Sequence, residues 1–201
     1  MKPRTRFDRA YFDRWYRDPH RRVLDRAEIT RRAALVVSVA EYVLERRVRS
    51  VLDVGCGEGN WRAPLLRLRP TLRYAGVDSS DYVVRRFGRA RNIVHGDVET
   101  LDALPLRGPF DVVIASGMLN FLSETALRRA ARSITSLTRG IAFLELFTTS
   151  DDVVGDTRGW QPRTAARYRR LLRSAGLVQC GPHCYVTRTT ARALAALEWS
   201  G

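Results

Sequence analysis

Three glycines and an acid stand together in VLDVGCGEGNW, residues 51–61. Val51, Leu52 and Val54 make a strand-like apolar run, and Asp53 lies at its end. Gly55, Gly57 and Gly59 then give a turn in which backbone can approach a ligand closely, because glycine has no Cβ and tolerates positive φ. A helix expected after the turn presents free N–H groups to the same ligand. Two phosphate-binding loops do not fit. A dinucleotide fingerprint needs a third glycine where Asn60 stands, and a Walker loop needs Gly-Lys-Ser/Thr, which is missing here. A carboxylate two residues before the first glycine suits a ligand with an ammonium or sulfonium end.

Further acids close the next apolar runs. Asp78 ends RYAGVD, where a carboxylate at the carboxyl edge of a neighbouring strand accepts ribose hydroxyls. Its competing role, shared with Ser79, is the N-cap of the following helix. Asp97 in HGDVETL is placed to accept from an adenine amino group, with the Val98 N–H reaching a ring nitrogen.

An alternating architecture must position these groups. SVLDVG, RYAGVD, NIVHGD, FDVVIAS and GIAFLEL are short apolar runs separated by helical patterns, as expected of parallel strands covered on both faces. LVQCGPHCYVTR followed by ARALAALEWS is read as two further strands closing one sheet edge. The fold class is α/β: a Rossmann-like, doubly wound, seven-stranded sheet, mostly parallel, with a C-terminal antiparallel strand and an N-terminal helical cap. Ser123 caps a helix whose apolar face is Leu127, Ala130, Ala131, Ile134 and Leu137, with Gly140 as its stop. A later helix starts near Pro162 and carries Tyr168, Leu171, Leu172 and Ala175 before Gly176.

Residues 1–49 are helical in pattern and form the cap or lid. Phe7, Tyr11 and Trp15 make one stripe, Phe12 and Tyr16 a second, and Ala33, Val37, Ala40 and Leu44 a longer helix. Residues 50–201 form the α/β core, and 1–201 make one domain.

The chain has 201 residues, 45% hydrophobic and 28% charged, with only 14 glycines and 8 prolines, which excludes fibrous and disordered classes. No apolar run reaches the roughly 20 residues of a membrane helix. The start, MKPRTRFDRA, lacks the apolar stretch of a secretory signal. Cys56, Cys180 and Cys184 give no even disulfide framework, which points to a reducing, cytoplasmic setting. The net charge of +14 invites a nucleic-acid partner, but Lys2 is the only lysine and the arginines are spread along the chain, so a solvated arginine-rich surface is favoured.

The ordered set VLDVGCGEG, YAGVDSS, VHGDVETL and FDVVIASGMLNFLSE resembles the class I S-adenosylmethionine-dependent methyltransferases over roughly residues 45–150. AYFDRWY at 10–16 is similar to the Tyr-Tyr-Asp-x-x-Tyr stretch near the start of the small-molecule members, with Phe12 in place of the second tyrosine. The resemblance implies S-adenosylmethionine as cofactor. It implies that Asp53, Gly55 and Gly57, beside Cys56, Asn60 and Trp61, hold the amino acid end, and that Tyr11 and Tyr16 close over it. Asp78 with Ser79 would hold the ribose, Asp97 with Val98 the adenine, and Ser116, Gly117 and Met118 the methyl region.

The residues after the fourth strand bear on the acceptor. ASGMLN has neither the proline pair of adenine methylases nor the Pro-Cys of cytosine-ring methylases. Ala115–Ser116 and Glu145–Leu146 lack the acids of metal-dependent catechol enzymes, so no metal is expected. Cys180, His183 and Cys184 form one tight cluster without a second ligand pair, which reads as a turn between edge strands. The expectation is a methyltransferase that moves a methyl group to O or N, and less readily C, of a small molecule in secondary metabolism. An RNA methyltransferase and a non-methylating S-adenosylmethionine-binding protein are the alternatives, and the assembly is a monomer or homodimer. Tyr16, His20 and Glu145 are the candidate catalytic groups, with His183 and a packed or cofactor-side His95 also considered. Asn120, Phe121, Glu145, Trp160 and His183 are candidates for the acceptor pocket, and DDVVGDTRGWQP reads as a mobile lid.

Overall fold

The five apolar runs between residues 50 and 146 become the five parallel strands of one sheet. A computed structural model describes residues 7–199; Lys2 and the rest of residues 1–6, and Ser200 with Gly201, lie outside the described residues. The strands are β1 (Ser50–Val54), β2 (Arg73–Asp78), β3 (Ile93–His95), β4 (Phe110–Ser116), β5 (Thr138–Glu145), β6 (Leu177–Gly181) and β7 (Cys184–Thr187). Their order across the sheet is β3-β2-β1-β4-β5-β7-β6. The pairings among β1 to β5 are parallel, and β7 pairs antiparallel with both β5 and β6. The strand order reverses between β1 and β4, which is where sheets of this kind open a crevice at their carboxyl ends.

The helices are α1 (Arg9–Phe12), which continues into a π-turn at Asp13–Arg17, α2 (Arg26–Leu44), α3 (Arg62–Leu68), α4 (Asp81–Arg91), α5 (Glu124–Leu137), α6 (Ala165–Ser174) and α7 (Arg188–Ala191). Side chains that compete with helical hydrogen bonding sit where they cap. Asp25 accepts from the Glu28 N–H, Ser80 from Val83, Ser123 from Ala126 and Thr164 from Arg167. Ile29, Ala33, Val36 and Val37 of α2 share a buried cluster with Val51, Val112 and Phe143 of the sheet. A second cluster joins Leu127, Ala130 and Ile134 of α5 and Leu171 of α6 to Leu52, Val113 and Leu144.

Three expectations change. Both late strands fall within 177–187 as a hairpin, in which CYVT pairs with β5 and LVQCG with CYVT, and residues 188–191 form a helical turn. Gly140 does not stop α5: the helix ends at Leu137 and β5 begins at Thr138. A Cβ at Gly140 would lie 2.5 Å from the Asp111 carbonyl oxygen, so glycine there serves close strand packing. Of residues 1–49, α2 belongs to the layer against the sheet, while residues 7–24 run over the strand ends. Among the described residues the three cysteines are free, and no helix is long and apolar enough to cross a membrane.

Candidate active site

The glycine turn takes a conformation that glycine enters freely. Gly55, Gly57 and Gly59 have φ of 64°, 52° and 76°, values that cost any other residue a Cβ clash. A Cβ on Gly55 would stand 2.8 Å from Met118 Cγ, and one on Gly57 3.2 Å from the Phe12 ring. The turn runs longer than expected: α3 begins only at Arg62, and its capping position, Trp61, offers no side-chain bond.

Asp53 is buried at the end of β1, where Tyr74 from β2 donates to its Oδ2 at 2.7 Å. Burial pushes its carboxyl up to about 7, against the lowering effect of the Tyr74 bond and with a further push from Asp78. Among the described residues Asp53 is thus a carboxylate without a cation, facing a turn that leaves room for one. Tyr74 lies outside the sequence-based candidates, since an aromatic at an alternating strand position reads as core.

Asp78 is also buried and already engaged: Gly57 N–H donates to Oδ2 at 2.7 Å and Ser80 N–H to Oδ1 at 2.9 Å. Burial raises its pKa, and the two backbone bonds oppose that rise. A carboxylate oxygen accepts more than one bond, so capacity for hydroxyl donors remains. The N-cap of α4 is Ser80, not Asp78 or Ser79, and Ser79 is exposed.

A cavity of about 300 Å³ opens at the carboxyl ends of β1, β4 and β5. Its wall includes Tyr11, Tyr16, Asp53, Gly55, Cys56, Gly57, Asn60, Trp61, Ser116, Gly117, Asn120, Phe121, Glu145 and Trp160, all expected from sequence. It also takes Trp15, Val23 and Leu24 from the covering segment and Glu28 and Arg32 from α2. Glu145 ends β5 opposite Ser116 of β4, and the Ser116 hydroxyl donates to it. Arg32 lies 2.7 Å from Glu145 Oε1 and 2.5 Å from Glu28 Oε1. Among 34 arginines nothing in the sequence singles Arg32 out. Burial holds the Tyr16 phenol well above its usual pKa, as do Tyr11 and the carboxylates Asp78, Glu145 and Glu58, so its hydroxyl stays a donor at neutral pH.

Other candidates stand elsewhere. His20 is exposed and does not line the cavity, and its backbone N–H donates to Asp18. His183 is exposed at the β6–β7 turn, and its ring meets Phe143 edge-on 5.6 Å away. His95 is exposed beside Asp81 rather than packed. Met118 wedges beneath Gly55 and is not on the wall. Asn120 lines the cavity, but its amide is committed: Nδ2 donates to the Phe147 carbonyl at 2.6 Å and to Tyr168 at 2.9 Å, and Oδ1 accepts from the Phe147 N–H. Asp97 is exposed, accepts from the Glu99 N–H, and with buried Val98 lies off this cavity. Phe12, Phe7 and Tyr11 pack with Cys56 and Val83 between the glycine turn and α4, on the side where Asp78 lies. Residues 152–157 and Trp160 cover the cavity from the loop after β5, which is tied down by Gln161 N–H to the Asn120 carbonyl and by Arg163 to the Leu122 carbonyl.

A family model described as a methyltransferase domain matches residues 17–198. The chain belongs to that family. The curated trans-aconitate 2-methyltransferase of an Azoarcus species is 34% identical over 77 residues, and the match covers 38% of this chain and 30% of that protein. The chain thus matches less than a third of the length of this curated relative. Among solved structures, a sugar N-methyltransferase from a Streptoalloteichus species superposes with a TM-score of 0.65 at 19% identity, covering 86% of this chain and 90% of the other. An amino pentose methyltransferase from Micromonospora echinaspora, bound to S-adenosylmethionine, gives 0.59 at 18% identity, with 76% and 86% covered. These likenesses are to the fold of methyltransferase domains.

Proposed function

We propose that this chain is an S-adenosylmethionine-dependent methyltransferase that methylates an oxygen or nitrogen of a small molecule. The observation that carries it is Asp53: a buried carboxylate without a cation among the described residues, beside a turn of three glycines, on the wall of a cavity of about 300 Å³. Cavities from that size upward accommodate small molecules. The acceptors named for the similar solved structures support a small-molecule acceptor here.

The residues fit the cofactor in kind. When bound, it supplies a methyl group on a sulfonium sulfur. Asp53, held by Tyr74, would receive the ammonium of its amino acid end, and Asp78 would receive ribose hydroxyls with its remaining lone pairs. Phe12 lies against Gly57 and would move aside for the nucleoside end. Trp15, Val23, Leu24 and the loop over the cavity would exclude water. Tyr16 would donate its phenol proton as a hydrogen bond, and Glu145, fixed by Ser116 and Arg32, would receive a proton if the nucleophile carries one. Residues 1–201 would act as one domain, with residues 7–24 as its cover.

A second reading has one observation in its favour. A larger groove of about 940 Å³ on the outer side of the turn is lined by Arg9, Arg17, Arg26, Arg62, Arg67, Arg86 and Arg91, which would suit RNA phosphates. Most of these are engaged: Arg9 with Asp13, Arg17 with Glu58, Arg91 with the Glu58 carbonyl, Arg67 with Thr30 and Arg86 over the Phe87 ring. Incubation with S-adenosylmethionine labelled at the methyl, together with total cell extract, separates the readings. Label in the small-molecule fraction is expected; label confined to RNA would overturn the first reading.

A further inference from the structure

We propose that the acceptor is a hydroxylated amine that arrives as an ammonium ion, with Glu145 receiving its charge and Trp160 donating to one of its oxygens. The proposal rests on the cavity being the methyl-transfer site and adds its substrate class.

The chain carries a net charge of +14, yet this cavity is acidic. Glu28, Asp53, Glu145, Asp152 and Asp156 face it, and among the described residues of its wall Arg32 brings the single guanidinium. Arg32 is bracketed by two of those carboxylates, Glu28 and Glu145, and Asp156 is paired with Arg158, 2.9 Å away. Asp53 is set aside for the cofactor's ammonium. Subtracting the two arginines from the other four acids leaves two negative charges. The remaining excess gathers around Glu145, which is buried, and there like charges repel more strongly than in water. A carboxylate acceptor would add to that excess; an ammonium ion cancels part of it.

Trp160 supplies the second requirement. It lines the same cavity, and its Nε1 is buried without a hydrogen-bond partner among the described residues. An indole N–H can only donate, and an ammonium ion cannot accept. An acceptor that brings a hydroxyl or ether oxygen as well as its amine would satisfy the tryptophan donor. For nitrogen to act as nucleophile, one ammonium N–H bond breaks and its proton forms an O–H bond on the Glu145 carboxylate. The nitrogen keeps the electron pair.

Three probes with one carbon skeleton test the charge preference: glucamine, sorbitol and gluconate, titrated calorimetrically at neutral pH into the protein saturated with S-adenosylhomocysteine. Glucamine should bind at least tenfold tighter than sorbitol, and gluconate more weakly than sorbitol. Glu145→Gln should remove most of the glucamine advantage, and Trp160→Phe should weaken glucamine and sorbitol alike. Equal affinities, a preference for gluconate, or no binding by any probe would overturn the proposal. If S-adenosylhomocysteine itself fails to bind, the methyltransferase reading fails; if it binds and the preference is absent, only the amine class fails.

Discussion

Tyr74 and Asp53 meet inside the sheet, the tyrosine hydroxyl donating to Asp53 Oδ2 at 2.7 Å from one strand to the next, with both residues buried. This bond limits how far burial raises the aspartate's pKa, yet the value still reaches about 7. The folded protein therefore binds a proton at Asp53 in a range where the unfolded chain has released it. Stability from this group is full below the unfolded pKa, about 4, and falls as pH rises through 7. Asp53→Asn should match the wild type near pH 4 and exceed it in denaturant unfolding near pH 8 by several kcal/mol, at about 1.4 kcal/mol for each tenfold difference in proton affinity between the folded and unfolded chains. Parallel stability curves would remove the buried charge from the account.

The same titration governs binding. S-adenosylhomocysteine affinity should rise as pH increases through 7, because the ligand's ammonium needs the ionised carboxylate. Tyr74→Phe should move that rise to higher pH, since it removes the bond that favours the charged form. A pH-independent affinity in the wild type would contradict the assignment of Asp53.

Asp78 holds both the glycine turn and, in this account, the ribose. Asp78→Ala should weaken S-adenosylhomocysteine binding about 10- to 150-fold, the equivalent of roughly 1.5–3 kcal/mol for a charge-assisted bond. Melting temperature should drop too, because the Gly57 and Ser80 N–H groups lose their acceptor. A folded variant with unchanged affinity would leave Asp78 a purely structural residue.

Tyr16→Phe keeps the ring and removes only the hydroxyl, which burial and the nearby carboxylates keep protonated. Once an acceptor is in hand, turnover should fall by about one to two orders of magnitude, the worth of one positioned hydrogen bond, with little change in melting. Tyr16→Ala should add a loss of stability, because the ring packs against Phe12 with centroids 5.5 Å apart. Full activity in Tyr16→Phe would return this residue to a packing role.

Asn120 should behave as a pin. Its amide ties the Phe147 backbone and Tyr168, so Asn120→Ala leaves buried partners unmet and should cost about 2–3 kcal/mol in unfolding. Proteolysis within residues 148–164 should accelerate. An unaltered stability would mean the amide is free to serve a ligand.

The fold was legible because its strands are buried on both faces. RYAGVD and FDVVIAS become β2 and β4 residue for residue, since a continuous apolar run between polar helices has few other places to go. The glycine turn and Glu145 were legible for a related reason: their positions follow from where strands end. Side-chain direction was not. His20 and His183 lie in the right segments and face solvent, and Asn120 spends its amide on backbone. Tyr74 hid as a core aromatic, and Arg32 among many arginines. ARALAALEWS read as a strand because its alanines and leucines fit either period, and only the hairpin's pairing with β5 decides between them.

Calorimetric titration of S-adenosylhomocysteine into wild type, Asp53→Asn and Asp78→Ala tests the central claim most directly. The account predicts one site in the wild type and at least tenfold weaker binding in each variant. No binding to the wild type, or equal binding to all three folded proteins, would contradict it.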